Sequence, residues 1–147
     1  MKEIILTQVF VIKVDDEDYE NIIQTKWYPC RQGRYYYATD INGIGMHRLI
    51  MKPPKGMECD HIDHDTLNNQ KHNLRICTHH QNHMNINSFR KFKGVRYRKD
   101  RKCFQSYIAP NGKQIYLGSF DSEIDAAKAY DNAALKYFGE FANLNFK

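Results

Sequence analysis

Four side chains in the middle of this sequence have types and spacing that could hydrolyse a phosphodiester. Asp60 and His61 are adjacent, Asn73 follows His61 by twelve residues, and Asn82 follows Asn73 by nine. Such a reaction needs an activated water and relief of charge on the phosphate and on the leaving oxygen. An imidazole near its neutral pKa can take the proton from water at cellular pH. A divalent cation can hold phosphate oxygens and stabilise the leaving group. Mg²⁺ is a hard ion that prefers oxygen ligands and keeps several waters, so it asks little of the protein. Asp60 offers a carboxylate, Asn82 an amide carbonyl and His61 the imidazole.

The elements that must position these groups are short. Met57–His61 reads as an extended piece, residues 63–71 as a polar loop, and Leu74–Thr78 as a second strand with Leu74, Ile76 and Thr78 on one face. His79–Asn87 is compatible with a helix capped by Thr78. The unit is therefore strand, loop, strand, helix. Upstream, Ile4–Leu6 and Val9–Val14 read as strands, and Asp15-Asp16 offers a cap for a short helix with Tyr19, Ile22 and Ile23 on one side. Trp27-Tyr28 and Tyr35–Thr39 suggest a strand pair around Gln32-Gly33, and Asn42-Gly43 a tight turn. The Tyr35-Tyr36-Tyr37 cluster is expected to be half core and half sheet surface rather than a base-stacking platform.

Downstream of a basic segment, 88–93, the pattern changes to a regular one. Val95 and Tyr97 alternate with Arg96 and Arg98, and Phe104, Ser106 and Ile108 share one face of a second strand. Pro110-Asn111-Gly112 marks a hairpin turn before a third strand, Gln114–Ser119. Ser122, with Asp125 three residues on, caps a long helix that Gly139 ends. Ile124, Ala127, Tyr130, Ala134 and Phe138 recur at helical spacing. The formal charge is +5 over 147 residues, and it is concentrated: eight basic residues lie between Arg90 and Lys102 with only Asp100 against them. Such a patch favours a polyanion, nucleic acid first.

These words carry two resemblances. Met46-His47-Arg48-Leu49, Pro53-Pro54-Lys55-Gly56, Asp60-His61-Ile62, Asn68-Asn69, Asn73-Leu74-Arg75 and Gln81-Asn82 with Asn85 resemble the HNH nucleases, especially homing endonucleases of phages and mobile introns. The resemblance implies a ββα-metal core at about 57–87, His61 as general base, Asp60 and Asn82 on the metal, and Asn73 as a brace for the loop that holds His61. It also implies Mg²⁺, with Mn²⁺ able to replace it, and products with 3′-hydroxyl and 5′-phosphate ends. Gln81-Asn82 stands where the family usually has Glu-Asn, and Asn68-Asn69-Gln70 where it often has Asp-Asn-Arg. The second resemblance, over Lys93 to Phe146, is to the DNA-binding domain of plant APETALA and ethylene-responsive factors. Its words are Lys93-Gly94-Val95-Arg96, Tyr116-Leu117-Gly118-Ser119-Phe120, Ala126–Asp131 and Asn143–Phe146. It implies a three-stranded antiparallel sheet entering the major groove with a helix packed behind it.

Alternation on such a sheet sends Val95, Tyr97, Phe104, Ile108, Ile115 and Leu117 towards the helix. It sends Arg96, Arg98, Gln105, Tyr107, Gln114 and Tyr116 towards DNA, with Lys93 and Lys102 nearby. Plant members usually carry a basic residue where Ala109 stands and tryptophan where Tyr116 stands, so their target sequence does not transfer.

The expected fold class is α+β: a ββα-metal nuclease module in 1–87, the basic segment 88–93, and a sheet-and-helix DNA reader in 94–147. The expected function is a site-directed DNA endonuclease acting on double-stranded DNA, as a monomer or homodimer. The alternative is a DNA-binding regulator on a decayed nuclease scaffold. Six of the seven histidines lie between His61 and His83, which raises structural zinc on Cys59-x-His61 and Cys77-x-His79. Such spacing is unusual for a structural site, and thiols in strands are ordinarily small buried groups, so zinc is disfavoured. Four cysteines without a Cys-x-x-Cys pair, and no leader or membrane-length apolar run, point to a reduced, cytoplasmic protein.

Overall fold

The computed structural model describes residues 1–7, 9–88 and 90–146, so Gln8, Phe89 of the basic segment and Lys147 lie outside the described residues. The chain forms two compact units, Met1–His79 and His80–Lys147.

In the first unit, β1 (Lys2–Ile5) and β2 (Val11–Val14) pair antiparallel with Ile4 opposite Ile12. Alternation buries Ile12 and Val14 completely. α1 (Asp16–Ile22) carries Asp16, Glu17 and Asp18 in its first turn, where the helix dipole favours anions. Asp15 stands at the cap position, yet its carboxylate accepts no bond from the helix. It accepts instead from Gln70 Nε2 (2.9 Å) and Lys71 N (2.8 Å). Ile22 is buried, whereas Ile23, expected on the same side, is 46% exposed because the helix has ended. β3 (Tyr28–Gln32) and β4 (Tyr35–Thr39) form a hairpin, and α2 (Met46–Met51) follows, closing on Lys52 in the left-handed region. The core is Ile12, Val14, Ile22, Trp27, Ala38 and Met46, with Leu67 packed on it. Each large side chain so buried contributes about 1.5–3 kcal/mol.

β5 (Glu58–His61) and β6 (Leu74–Cys77) pair antiparallel, with His61 opposite Leu74 and Asp60 opposite Arg75. Between them the polar loop ends in a single 3₁₀ turn, Lys71–Asn73. α3 (His79–Met84) follows β6 directly, so the chain order is strand, strand, helix.

In the second unit, β7 (Val95–Arg98), β8 (Cys103–Ile108) and β9 (Ile115–Phe120) form one antiparallel sheet in that order. α4 (Glu123–Phe138) packs on it through Ala126, Ala127, Tyr130 and Ala134. Ser122 Oγ accepts from Ile124 N and Asp125 N, and Gly139 terminates the helix at φ 54°. Ile124, expected on the buried stripe, is 50% exposed. The stripe runs 126, 127, 130, 131, 134, and position 124 falls outside it. Tyr97, expected against the helix, shares a side of the sheet with Phe104, its ring 5.0 Å away, but remains 52% exposed. Gly94 sits where only glycine fits: at φ 78°, a Cβ would lie 2.0 Å from the Tyr130 ring.

Buried Asp131 has no counterpart in the apolar pattern. Its carboxylate accepts from Asn145 N (2.8 Å), Asn145 Nδ2 (3.0 Å) and Phe146 N (3.0 Å). Asn145 in turn accepts from Lys93 N (2.6 Å) and donates to Lys93 O (3.1 Å). The last residues and the entry to β7 are thereby tied to one point on α4.

Candidate functional site

His61 ends β5 and is 4% exposed. Its Nε2 lies 3.4 Å from Asn69 Oδ1. The rings of His47, from α2, and Tyr37, from β4, stand 5.0 and 6.0 Å from it, the former edge-on. Burial lowers the His61 pKa below its ordinary value, against the opposing pull of the Asn69 bond and of Asp60, Asp63 and Asp65. Burial, then His61 and Arg48, pushes His47 down to about 3. At neutral pH both imidazoles are neutral, the form in which one can accept a proton. His47 was only part of a motif word in the sequence; it proves to be a neighbour of His61. Gly45 belongs to the same packing, since a Cβ there would lie 2.5 Å from His47 Cε1.

Asp60 neighbours His61 along β5 and is 7% exposed. Arg75, its cross-strand partner, donates to Asp60 Oδ2 from Nε (2.9 Å) and Nη2 (2.7 Å). Neither side chain is more than 12% exposed, so this is a buried ion pair. Arg75 was a motif word without a role in the sequence. The signal for it was there: in a hairpin where 61 faces 74, residue 60 must face 75. A carboxylate presents about four acceptor positions, so the two Arg75 bonds do not by themselves exclude a cation.

Asn73 is 3% exposed and holds the loop that leaves His61. Its Oδ1 accepts from Asp63 N (3.0 Å), its Nδ2 donates to Asn68 O (2.9 Å), and its carbonyl accepts from Ile62 N (2.9 Å). The rest of the loop is knitted by short-range side-chain bonds. Asp63 Oδ1 accepts from Asp65 N (2.8 Å), Asp63 Oδ2 from Asn68 Nδ2 (3.1 Å), and Asp65 Oδ1 from Leu67 N (3.2 Å). Asn82 lies on α3, in the His80–Lys147 unit. The carboxylate of Asp60 and the amide carbonyl of Asn82 are each hard oxygen donors of the kind Mg²⁺ accepts.

The cysteines Cys59 and Cys77 are buried, and burial pushes their thiols up to about 12 and 11. Zinc ligation needs thiolates. His79 bonds Glu58 Oε1 at 2.7 Å. Among the described residues no three His, Cys, Asp or Glu side chains are grouped to hold a metal ion.

The second unit brings part of the expected DNA-facing set onto one side of its sheet. The register aligns Arg96, Gln105 and Ser119 in one row and Tyr107 with Tyr116 in the next. Arg96 is exposed, its guanidinium 5.6 Å from the Tyr107 ring. Tyr107 and Tyr116 rings are 5.4 Å apart. Gln105, expected to point outward, is only 5% exposed. Its Oε1 accepts from Tyr107 Oη (2.8 Å) and its Nε2 donates to Ser119 Oγ (3.3 Å), which also bonds Tyr116 Oη (2.7 Å). Gln105 therefore ties the two tyrosines in place. Arg98 is exposed and clasps Asp100 with two 3.0 Å bonds; Lys102 and Gln114 are exposed. Lys93 turns inward: Nζ donates to Met84 O (2.7 Å) and Ile86 O (2.9 Å), and burial pushes its pKa down to about 8.

Site and fold together define a two-part protein, an HNH-type hairpin region followed by a sheet backed by one helix. Comparison with known proteins agrees. The HNH endonuclease family profile matches residues 46–84, and the AP2 domain profile matches residues 90–140. An uncharacterized HNH endonuclease of Acanthamoeba polyphaga mimivirus is 34% identical over 126 residues, covering 82% of this chain and 66% of that protein. An AP2-like ethylene-responsive transcription factor of Arabidopsis thaliana is 51% identical over 47 residues, 32% of this chain and 9% of that protein. The APETALA2-like protein 2 of Oryza sativa subsp. indica is 44% identical over 55 residues, 37% of this chain and 13% of that protein. The chain thus joins a region similar to HNH endonucleases to a region similar to AP2 domains, and it spans slightly under two thirds of its viral relative. Among the described residues no helix is long and apolar enough to cross a membrane.

Proposed function

We propose that this protein is a site-directed endonuclease of double-stranded DNA, with cutting assigned to 1–87, reading to 94–147, and the basic segment 88–93 joining them. The observation that carries the reading is the buried, neutral His61 held beside Asp60 inside the HNH-matching segment. His61 is the general base: its neutral imidazole takes the proton of the attacking water. Asn73 braces the loop, so that His61 keeps its place through the reaction. Asp60 and Asn82 are the residues to hold Mg²⁺ or Mn²⁺, which when bound would offset charge on the phosphate and the leaving oxygen. Arg75 holds the Asp60 carboxylate in place through two bonds to Oδ2. The cut leaves 3′-hydroxyl and 5′-phosphate ends.

Arg96, Arg98, Lys102, Gln114 and the Tyr107–Tyr116 pair form the surface presented to DNA; Gln105 fastens Tyr107 within it, while Lys93 Nζ is engaged by the Met84 and Ile86 carbonyls. A compact metal site makes few base contacts, so a second reader raises residence at chosen sites. The viral relative and the HNH words are consistent with a mobile-element or phage setting, and the protein acts in the compartment where that DNA lies. The test is incubation of purified protein with DNA flanking its own gene, with and without Mg²⁺, followed by sequencing of the ends. Metal-dependent cuts that His61→Ala abolishes support the reading. Specific retention of DNA with no cutting in any divalent metal assigns the protein instead to non-catalytic regulators.

A further inference from the structure

Resting on the nuclease reading of His61, we propose that Asn69 is a positioning residue that fixes the proton of the neutral His61 ring on Nε2 and so makes Nδ1 the nitrogen that receives the proton from water. Asn69 is 1% exposed, and both ends of its amide are engaged. Nδ2 donates to Leu67 O at 3.3 Å, and Oδ1 faces His61 Nε2 at 3.4 Å. Turning the amide over would set Oδ1 against the Leu67 carbonyl, two acceptors with no proton between them. The orientation is therefore fixed by Leu67, and an oxygen facing Nε2 requires Nε2 to carry the hydrogen.

The Leu67 carbonyl is itself held. It accepts from Lys13 N at 2.9 Å, and Asn69 N donates back to Lys13 O at 2.8 Å, so Leu67–Asn69 runs alongside β2. Asp15 then fastens Gln70 and Lys71, and Lys71 pairs with Glu17 and with Asp18 at 3.1 Å. The Leu67 side chain packs on the core formed by Ile12 and Val14. The amino-terminal hairpin and α1, outside the HNH-matching segment, thus act on the reacting ring through one amide. A ring free to exchange its proton between nitrogens would present the accepting lone pair for only part of the time.

The test reads the imidazole protons of the full chain by ¹⁵N–¹H correlation spectra, without metal or DNA, with His61→Ala giving the assignment. Wild type is expected to show His61 protonated on Nε2, with that proton protected from exchange. Asn69→Leu, of similar volume and without an acceptor, is expected to lose the protection and about tenfold in kcat, with KM for DNA little changed. Asn69→Ala, which also lacks an acceptor, is expected to lose the protection likewise and supplies the comparison if Asn69→Leu does not fold. A wild-type ring protonated on Nδ1, or a protected Nε2 proton in Asn69→Leu, overturns the assignment. The spectra need no cleavage, so a protein that cuts nothing would defeat the nuclease reading while the tautomer still decides this one.

Discussion

The two units hold their functional side chains in opposite ways. In His80–Lys147 the presented face is a by-product of regular structure: strands alternate, the register sets the rows, and an alanine-rich helix covers the back. In Met1–His79 the His61 ring stands at the end of a four-residue strand, and what fixes it is an irregular loop fastened by asparagine and aspartate side chains. Regular structure tolerates the loss of any one polar bond because its neighbours repeat it. The loop has no such repetition. Single polar substitutions should therefore cost function heavily in the first unit and lightly in the second, where backbone space is the vulnerable quantity.

The largest effect is expected at His61, the proposed general base. His61→Ala should lower metal-dependent cleavage by about 10²–10⁴-fold while leaving DNA retention unchanged. Cleavage kinetics beside a gel-shift titration check it, and retained cleavage would remove His61 from the reaction. Next is the buried ion pair. Arg75→Ala strands the Asp60 carboxylate without its guanidinium, and breaking such a pair costs about 3–5 kcal/mol. Denaturant unfolding should show the first unit losing stability while the second holds. If Arg75→Ala were neutral, the claim that this unit depends on single polar bonds would fail.

Gly94→Ala tests the contrasting claim for the second unit. No polar bond of its side chain is lost, yet the added methyl meets the Tyr130 ring and Tyr107 O within 2.6 Å at a positive φ. Overpacking and backbone strain together should cost about 2–4 kcal/mol, seen as a lower Tm of that unit and weaker DNA retention. Wild-type stability would mean that the sheet and α4 slide apart more easily than their packing implies.

Acid should weaken the first unit selectively. His47 and His61 have folded pKa values below the ordinary 6.5, so between that value and the folded ones the unfolded chain binds more protons. Stability is then full above about 6.5 and declines as the pH falls towards about 3, where His47 titrates in the fold. The slope is at most about 1.4 kcal/mol per pH unit for each group. His47→Phe, which keeps an aromatic ring, should flatten it. An unchanged slope would place the acid sensitivity elsewhere.

This contrast also explains what the sequence made legible. Periodicity located β7, β8, β9 and α4 to within a residue or two, and hairpin and capping words located Ser122 and Gly139. It misplaced Ile124, because an apolar residue at the helix entry satisfies the spacing without reaching the sheet. It sent Gln105 outward, because alternation gives a side and not a depth, and Tyr107 closes over it. In the first unit the Asp60, His61 and Asn73 words were plain. Tyr37, His47 and Asn69 as neighbours of one ring were not, since three separate elements bring them there and no local spacing encodes that approach.

The smallest expected effect falls on the presented face itself. Arg96 is exposed and its guanidinium rests over Tyr107, with no carboxylate ion pair among the described residues, so Arg96→Ala should leave stability within about 0.5 kcal/mol of wild type. If it contacts phosphate, the loss in DNA affinity is modest and alike for all sequences, and the slope of log affinity against log salt falls by about one. If it reads guanine, the loss is about 1–3 kcal/mol and confined to one base position. Titrations at several salt concentrations on matched and mismatched DNA separate these. An Arg96→Ala protein that unfolds like a damaged core would show that this face carries the unit's stability and would erase the contrast between the two units.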